Sequence, residues 1–244
     1  MKGVIWGICP SAQIADISHG IAPQNVLEGA LVLGRSFSFF PAGTIHIAVV
    51  DPGVGTSRRP IAARIGDHHF VGPDNGIFTP IYEQAEKNGW QAQIFHLTNT
   101  ACFLPRVSAT FHGRDLFAPV AAHLAKGIPL EDFGPEVNDA RRLVLPHPVR
   151  TPGGWKAHII DIDTFGNLAT DLPADLLKDK SSVRVSLWGR EVLGLSSCYG
   201  ERNPGELIAL SDSFGRLELA VVNGSAAGMT GARLGDELDV MAEK

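Results

Sequence analysis

His46-Ile-Ala-Val-Val-Asp-Pro-Gly-Val-Gly-Thr-Ser-Arg-Arg-Pro60 opens with an apolar run, Ile47 to Val50, that is β-branched at Ile47, Val49 and Val50. Such a run reads as a buried parallel strand. Asp51 stands where that strand ends. Pro52, Gly53 and Gly55 then force a tight irregular loop that Arg58, Arg59 and Pro60 close. A carboxylate and a guanidinium therefore share one turn. In an open α/β sheet ligands bind beyond the carboxyl ends of the strands. The stretch fits the wall of an active site, and equally a rigid crossover turn carrying an ion pair.

Upstream, Val4, Ile5 and Ile8 give a short helix that Cys9-Pro10 stops. Gln13 to Ile17 is a short strand candidate. Asn25 with Glu28 three residues later marks a helix start, and its apolar face runs through Val26, Ala30, Leu33 and Phe37. Strand, helix and the Asp51 strand in this order predict a βαβ unit and hence a parallel sheet. Downstream, strands are expected over 61–65, 68–71 and 94–97, with a helix over 80–88. The turn cluster Gly72-Pro-Asp-Asn75-Gly76 lies between them. Ala109-Thr-Phe-His-Gly-Arg-Asp115 precedes a helix over 116–125, so His112 and Asp115 fall at an electropositive helix start.

Pro146 to Gly154 is rich in proline and glycine and reads as a linker. The expected organisation is an α/β domain over 1–146 with a mainly parallel sheet, a linker over 147–154, and a smaller antiparallel β-barrel over 155–244. Short strand candidates at 157–162, 183–188, 191–195, 207–210, 217–222 and 238–241, separated by turns, support the barrel.

Bulk composition narrows the function classes. The chain has 244 residues, 44% hydrophobic and 19% charged, with a formal net charge of −5 and no long charged block. That balance argues against nucleic acid or an anionic membrane as partner. Three widely separated cysteines, Cys9, Cys102 and Cys198, suggest a reducing compartment and a cytoplasmic location. No run approaches the roughly 18 apolar residues of a membrane span. His68-His69 point to opposite faces of a strand, so no metal site is expected. Serine-hydrolase elbow, P-loop and dinucleotide fingerprints are all absent.

What remains is a set of polar turns. Asp51, Arg58 and His112 could together position a water, draw off its proton and stabilise the developing charge. Asp163-Thr-Phe165-Gly-Asn167 places a carboxylate, a ring and an amide on one turn. Ser213-Phe-Gly-Arg-Leu-Glu218 and Asn223-Gly-Ser-Ala226 add a hydroxyl, a second carboxylate and exposed backbone. Taken singly, each reads as a plain turn. Together they offer hydrogen-bonding groups for a zwitterionic amino acid and an adenine-like ring.

VVDPGVGTSRRP, VGPDNG, ATFHGRDLFAPVAAHLA, IDTFGN and SFGRLELAVVNGSA occur here in that order. With them the chain resembles the S-adenosyl-L-methionine (SAM) hydroxide adenosyltransferases, relatives of the fluorinases and chlorinases, over almost its whole length. The resemblance implies an N-terminal α/β domain, a C-terminal β-barrel, and a homotrimer with sites between subunits. The implied reaction is attack of water or hydroxide on the ribose 5′ carbon, giving adenosine and L-methionine, with SAM as substrate and no cofactor. Asp51, Arg58 and His112 match the family's catalytic triad. Asp163 and Asn167 match groups that hold the methionine and ribose ends, Ser213 a carboxylate contact, and Tyr199 the ring stacked on adenine. Asn75, Phe165, Glu218 and Asn223 complete the substrate-binding candidates. Halogenases resemble the chain but place Tyr at the Asp51 position, and fluorinases have Ser at Gly113. A carboxylate there suits water and repels halide. In the family a further strand, with a turn that gives the ribose hydroxyls an acidic contact, precedes the helix that begins here at Met1-Lys2-Gly3. An α/β domain without that first strand is therefore expected, and Asp16 does not match the acidic motif. A non-catalytic adenosine- or SAM-binding protein is the alternative of a different class, and a SAM-dependent halogenase the alternative among enzymes.

Overall fold

The computed structural model describes residues 1–243, which form two compact units that divide between Leu145 and Pro146. In the first unit the elements run α1 (Lys2–Ile8), α2 (Val26–Ser36), β1 (Ile45–Ile47), β2 (Pro60–Ile65), β3 (His68–Pro73), α3 (Thr79–Asn88), β4 (Ala92–His96), α4 (Ala118–Ala125) and β5 (Glu136–Val137). The strands make one sheet in the order β1-β3-β2-β4-β5. Alternation along β2 and β3 directs Ile61, Ala63, Ile65 and Phe70 to one face, where Ala30, Leu33 and Phe37 of the α2 region and Ile81 of α3 cover them. Ala62 and Val71 face the other way, against Phe117 and Val120. Apolar residues thus cover the sheet on both faces.

The expectation of a mainly parallel sheet is corrected. Only β1 and β3 run parallel; β2 is antiparallel to β3 and to β4, and β4 to β5. The parallel pair arises because a hairpin, not a helical crossover, returns the chain from β2 to β3. Gln13 to Ile17 is not a strand. Ile14 instead packs with Ile5, Cys9 and Ala118, so its apolar side serves as a plug and no βαβ unit forms there. The Asp51 strand is shorter than its apolar run. Ala48 N still donates to Val71 O at 3.1 Å, but the Asn75 amide takes Val50 O at 2.8 Å and the ladder ends.

Other expectations hold locally. Asn25 caps α2 by accepting from Glu28 N at 3.1 Å, and Glu28 reaches back to Ala22 N. The helix expected over 116–125 starts with a π-helical turn, Gly113–Phe117, before α4.

The second unit holds β6 (Val149–Thr151), β7 (Gly154–Ile162), β8 (Leu168–Pro173), β9 (Ser182–Leu187), β10 (Arg190–Leu193), β11 (Leu207–Ser211), β12 (Arg216–Val221), α5 (Ala226–Thr230) and β13 (Glu237–Glu243). The order β10-β9-β13-β7-β8-β12-β11 is antiparallel throughout, with β6 paired to β7. A bridge from Ser196 to Leu210 joins the segment after β10 to β11, so the sheet is a nearly closed, barrel-like structure. Its interior takes alternate residues such as Trp155, Ala157 and Ile159 of β7 and Leu217, Leu219 and Val221 of β12. Val149 to Thr151, read from sequence as linker, belongs to this sheet.

One buried imidazole makes the first unit sensitive to acid. His46 of β1 is 4% exposed, lies parallel to the Phe70 ring at 5.1 Å and meets Phe37 edge-on. Burial, and then the neighbouring His68, push its pKa down to about 4. An unfolded histidine titrates near 6.5, so below that pH the unfolded state binds more protons than the native one. Stability should therefore fall as pH drops from about 6.5 to about 4, by up to about 3 kcal/mol from this residue. Urea unfolding across that range should show the loss, and His46→Leu should reduce it.

Candidate active site

The loop between β1 and β2 is held by its own turns. Val54 N donates to Asp51 O at 3.2 Å, Thr56 N to Gly53 O at 3.2 Å, and the Thr56 hydroxyl to Gly53 O at 2.7 Å. Arg58 N in turn donates to that hydroxyl at 3.3 Å. Gly55 has φ +78°, and a Cβ there would lie 2.4 Å from Ala109 O. Only glycine lets the loop approach the 108–112 segment this closely.

That segment is shaped by Asp115. Its buried carboxylate accepts from Ser108 N at 2.8 Å and from Arg114 Nε at 2.6 Å, while Phe111 N donates to Ser108 Oγ at 3.0 Å. The Arg114 guanidinium, with help from Ser108, holds the Asp115 carboxyl well below the usual carboxylate range. His112 leads into the π-helical turn and faces the Asp51 loop as a result.

Asp51, Arg58 and His112 meet. Arg58 Nε donates to Asp51 Oδ1 at 3.1 Å, and Nη2 donates both to Asp51 Oδ2 and to His112 Nδ1, the latter at 3.1 Å. The Arg58 and Asp51 side chains are only 3% and 5% exposed, and the guanidinium lies over the Phe117 ring. A guanidinium has no acceptor, so His112 Nδ1 must carry a lone pair and the neutral ring its proton on Nε2. Burial, and then the Arg58 charge, push the imidazole below its ordinary pKa, against the opposing pull of Asp51, Asp115 and a backbone hydrogen bond with Ser108. Arg58 Nη1 is buried with no hydrogen-bond partner among the described residues. A cavity of about 550 Å³ reaches Asp51 from the side of Ser18, His19, Gln24 and Val49. The first unit thus brings a carboxylate at a cavity wall together with an acceptor-bearing imidazole and a guanidinium whose two Nη1 N–H groups have no partner among the described residues.

Asn75, a substrate-binding candidate, lies in the turn just after β3. Both ends of its amide are engaged, Nδ2 with Val50 O and Oδ1 with Ile77 N at 3.2 Å.

In the second unit Asp163, Asn167 and Asn223 lie in turns at the carboxyl end of β12, Ser213 in the hairpin at its other end, and Glu218 within the strand between them. Asp163 Oδ1 accepts from Phe165 N and Asn167 N, and Oδ2 from Asn167 Nδ2, each at 2.9 Å. These bonds leave Phe165 75% exposed at the tip of the turn. Ala227 N donates to Gly166 O at 2.9 Å, so the 163–167 turn abuts the Asn223–Ala226 turn, where Asn223 adopts φ +54°. The Tyr199 hydroxyl donates to Glu218 Oε1 at 2.9 Å. Burial, then Glu218, with Asp163 and Asp212 beyond, push its pKa up to about 12. Ser213 sits exposed in the turn that Asp212 Oδ1 organises by accepting from Phe214 N and Arg216 N, each at 2.8 Å. Among the described residues no group of three or more His, Cys, Asp or Glu side chains is placed to hold a metal ion, and no helix is long and apolar enough to cross a membrane.

Sequence reasoning missed Asp74. Its carboxylate is 2% exposed and accepts from Arg59 Nε and Nη2 at 2.9 and 2.7 Å and from Arg141 N at 2.7 Å. The turn cluster around it was visible, but a partner in residues 139–141 was not.

Residues 1–134 match the SAM hydroxide adenosyltransferase N-terminal domain and residues 157–239 its C-terminal domain. A Salinispora tropica protein named (R)-S-adenosyl-L-methionine hydrolase is 41% identical over 98% of this chain and 90% of its own length. A fluorinase of an Actinoplanes species is 30% identical over 70% of this chain and 65% of its own. The crystal structure of an uncharacterized conserved protein from Thermotoga maritima superposes with a TM-score of 0.90 at 38% identity, covering 98% of this chain and 93% of that one. Two matched domains and a full-length hydrolase relative make the chain a member of the SAM hydroxide adenosyltransferase family.

Proposed function

We propose that this protein is an enzyme that hydrolyses S-adenosyl-L-methionine to adenosine and L-methionine. The buried Asp51–Arg58–His112 array, with the two N–H groups of Arg58 Nη1 left to donate, is the observation that carries the reading. Its substrate follows from the hydrolase relatives.

The step is an in-line displacement. The water oxygen forms a bond to C5′ of the ribose as the C5′–S bond breaks, and that bond's electron pair stays on sulfur. The sulfonium leaves as the neutral thioether of methionine, so no general acid is needed. The water proton must go to the protein and then to solvent. Arg58 cannot take it, since a guanidinium keeps its proton throughout the working pH range. Arg58 Nη1 instead donates to the attacking oxygen, while Asp51 or His112 accepts its proton. We assign substrate holding to Asp163, Phe165, Asn167, Tyr199, Ser213, Glu218 and Asn223. A homotrimer located in the cytoplasm is part of the same reading and would show as three times the 26.1 kDa chain mass in light scattering.

Purified protein incubated with SAM should release adenosine and methionine in equal amounts, resolved by chromatography. Asp51→Asn and His112→Ala should each lower turnover by roughly 10²- to 10⁴-fold, the range of a lost proton acceptor. Full turnover in both would overturn the assignment. Because the neutral His112 is the acceptor form and its pKa is lowered, turnover should be level above about pH 6.5 and fall only as pH drops through the lowered value. A fall beginning above pH 7 would contradict this.

A further inference from the structure

The loop that carries Asp51 and Arg58 must cross the end of a strand that it does not belong to. β1 enters the sheet on one side of β3 and runs parallel to it, while β2 lies on β3's other side and runs antiparallel. Both feet of the β1–β2 loop therefore stand beside the carboxyl end of β3, where the chain turns through Asp74 and Asn75.

These two consecutive residues hold one foot each. Asn75 Nδ2 donates to Val50 O at 2.8 Å, fixing the carbonyl just before Asp51. The Asp74 carboxylate takes Arg59 Nε and Nη2, and Asp74 N donates to Arg59 O at 2.9 Å, fixing the residue just after Arg58. Asp74 is in turn tied to Arg141 N, and Arg59 Nη1 to Asp139 Oδ1, each at 2.7 Å. Asn75 is oriented by Ile77 N, and Asp74 by Arg141 N, so neither contact depends on the loop it restrains.

We propose that Asp74 and Asn75 are positioning residues for the reaction. They clasp the two ends of the 51–58 loop and so set the spacing of Asp51, Arg58 and His112 before substrate arrives. This rests on the hydrolase reading above. Neither residue touches the reacting atoms; each acts through the backbone of the loop. A misplacement of about 1 Å in such a group is enough to lower turnover by roughly 10²-fold.

Asn75→Asp is the discriminating variant. It keeps an oxygen for Ile77 N but replaces the donor to Val50 O with a second acceptor, so the turn survives while the clasp opens. Asn75→Ala and Asp74→Asn complete the set. Hydrogen exchange by mass spectrometry, which needs no activity, should show faster exchange in the peptide spanning 51–58 and unchanged exchange in β7 to β13. With SAM, kcat should fall roughly ten- to hundredfold at near-constant KM. The acid limb of the profile should move toward pH 6.5, because an opened loop admits solvent to His112 and loosens Arg58, relieving the burial and then the charge that hold its pKa down. Unchanged loop exchange in Asn75→Asp overturns the proposal, whatever the activity. So does faster exchange with wild-type kcat and an unmoved acid limb. A wild-type protein that releases no adenosine overturns the hydrolase reading instead, and the exchange data still say whether the two residues hold the loop.

Discussion

A guanidinium removed from water has to be matched, and the first unit is built around matching Arg58. Taking such an ion out of solvent costs several kcal/mol even after relaxation, and a pair recovers that only with good geometry. Asp51 supplies a two-pronged acceptor, His112 Nδ1 a third acceptor, and Phe117 a ring face. The pair gives the fold little net stability. Its worth lies in specificity, since the one arrangement that satisfies the charge also sets the protonation of its neighbours. With Arg58 donating to Nδ1, the His112 proton is confined to Nε2. A proton can reach this ring at Nδ1 only when Arg58 lets go, so movement of the guanidinium and uptake of the proton are linked.

The surroundings are built to keep that arrangement from relaxing. Gly55 admits the loop to within contact of Ala109, and Asp115 shapes the Ser108 turn from beneath. Every one of these supports uses a backbone group or a fully buried side chain, which are the least compliant parts of a protein. The flexible side chains of the loop are thereby fixed at both ends of their reach.

Much of this was legible in the sequence, and the gaps have a common cause. Asp51, Arg58 and His112 could be picked out because their local motifs are dense in glycine, proline and charge. The capped helix at Asn25 and six of the barrel strands were readable from periodicity. The mixed sheet was not, because a β-branched run such as 47–50 looks the same whether its neighbour is reached by a helix or by a hairpin. β8 was missed because Leu168 to Leu172 is buried at every position and shows no alternation. The bond from Asn75 to Val50 O was hidden for a different reason: a turn residue whose amide reaches a carbonyl 25 positions away has no local signature. Residues whose own motif is distinctive were visible even when their partner is far along the chain, as His112 is from Arg58, whereas contacts made by plain turn residues across the sheet were not.

The same pair also bears on which nucleophile the pocket can serve. A halide needs net positive potential and hydrogen-bond donors and has no proton to give up. Here the guanidinium charge is already neutralised by Asp51, whose side chain is 5% exposed and so little screened by solvent. The potential a halide would meet is that of an ion pair, not of a cation, and it turns repulsive on the carboxylate side. Water asks for the opposite: one donor toward its oxygen and one acceptor for its proton, within a single molecule's width. Arg58 Nη1 offers the donor, and the second lone pairs of the Asp51 oxygens offer the acceptor. In the proposed reaction Asp51 would therefore act on selectivity twice, by weakening the attraction for anions and by giving a neutral nucleophile somewhere to leave its proton.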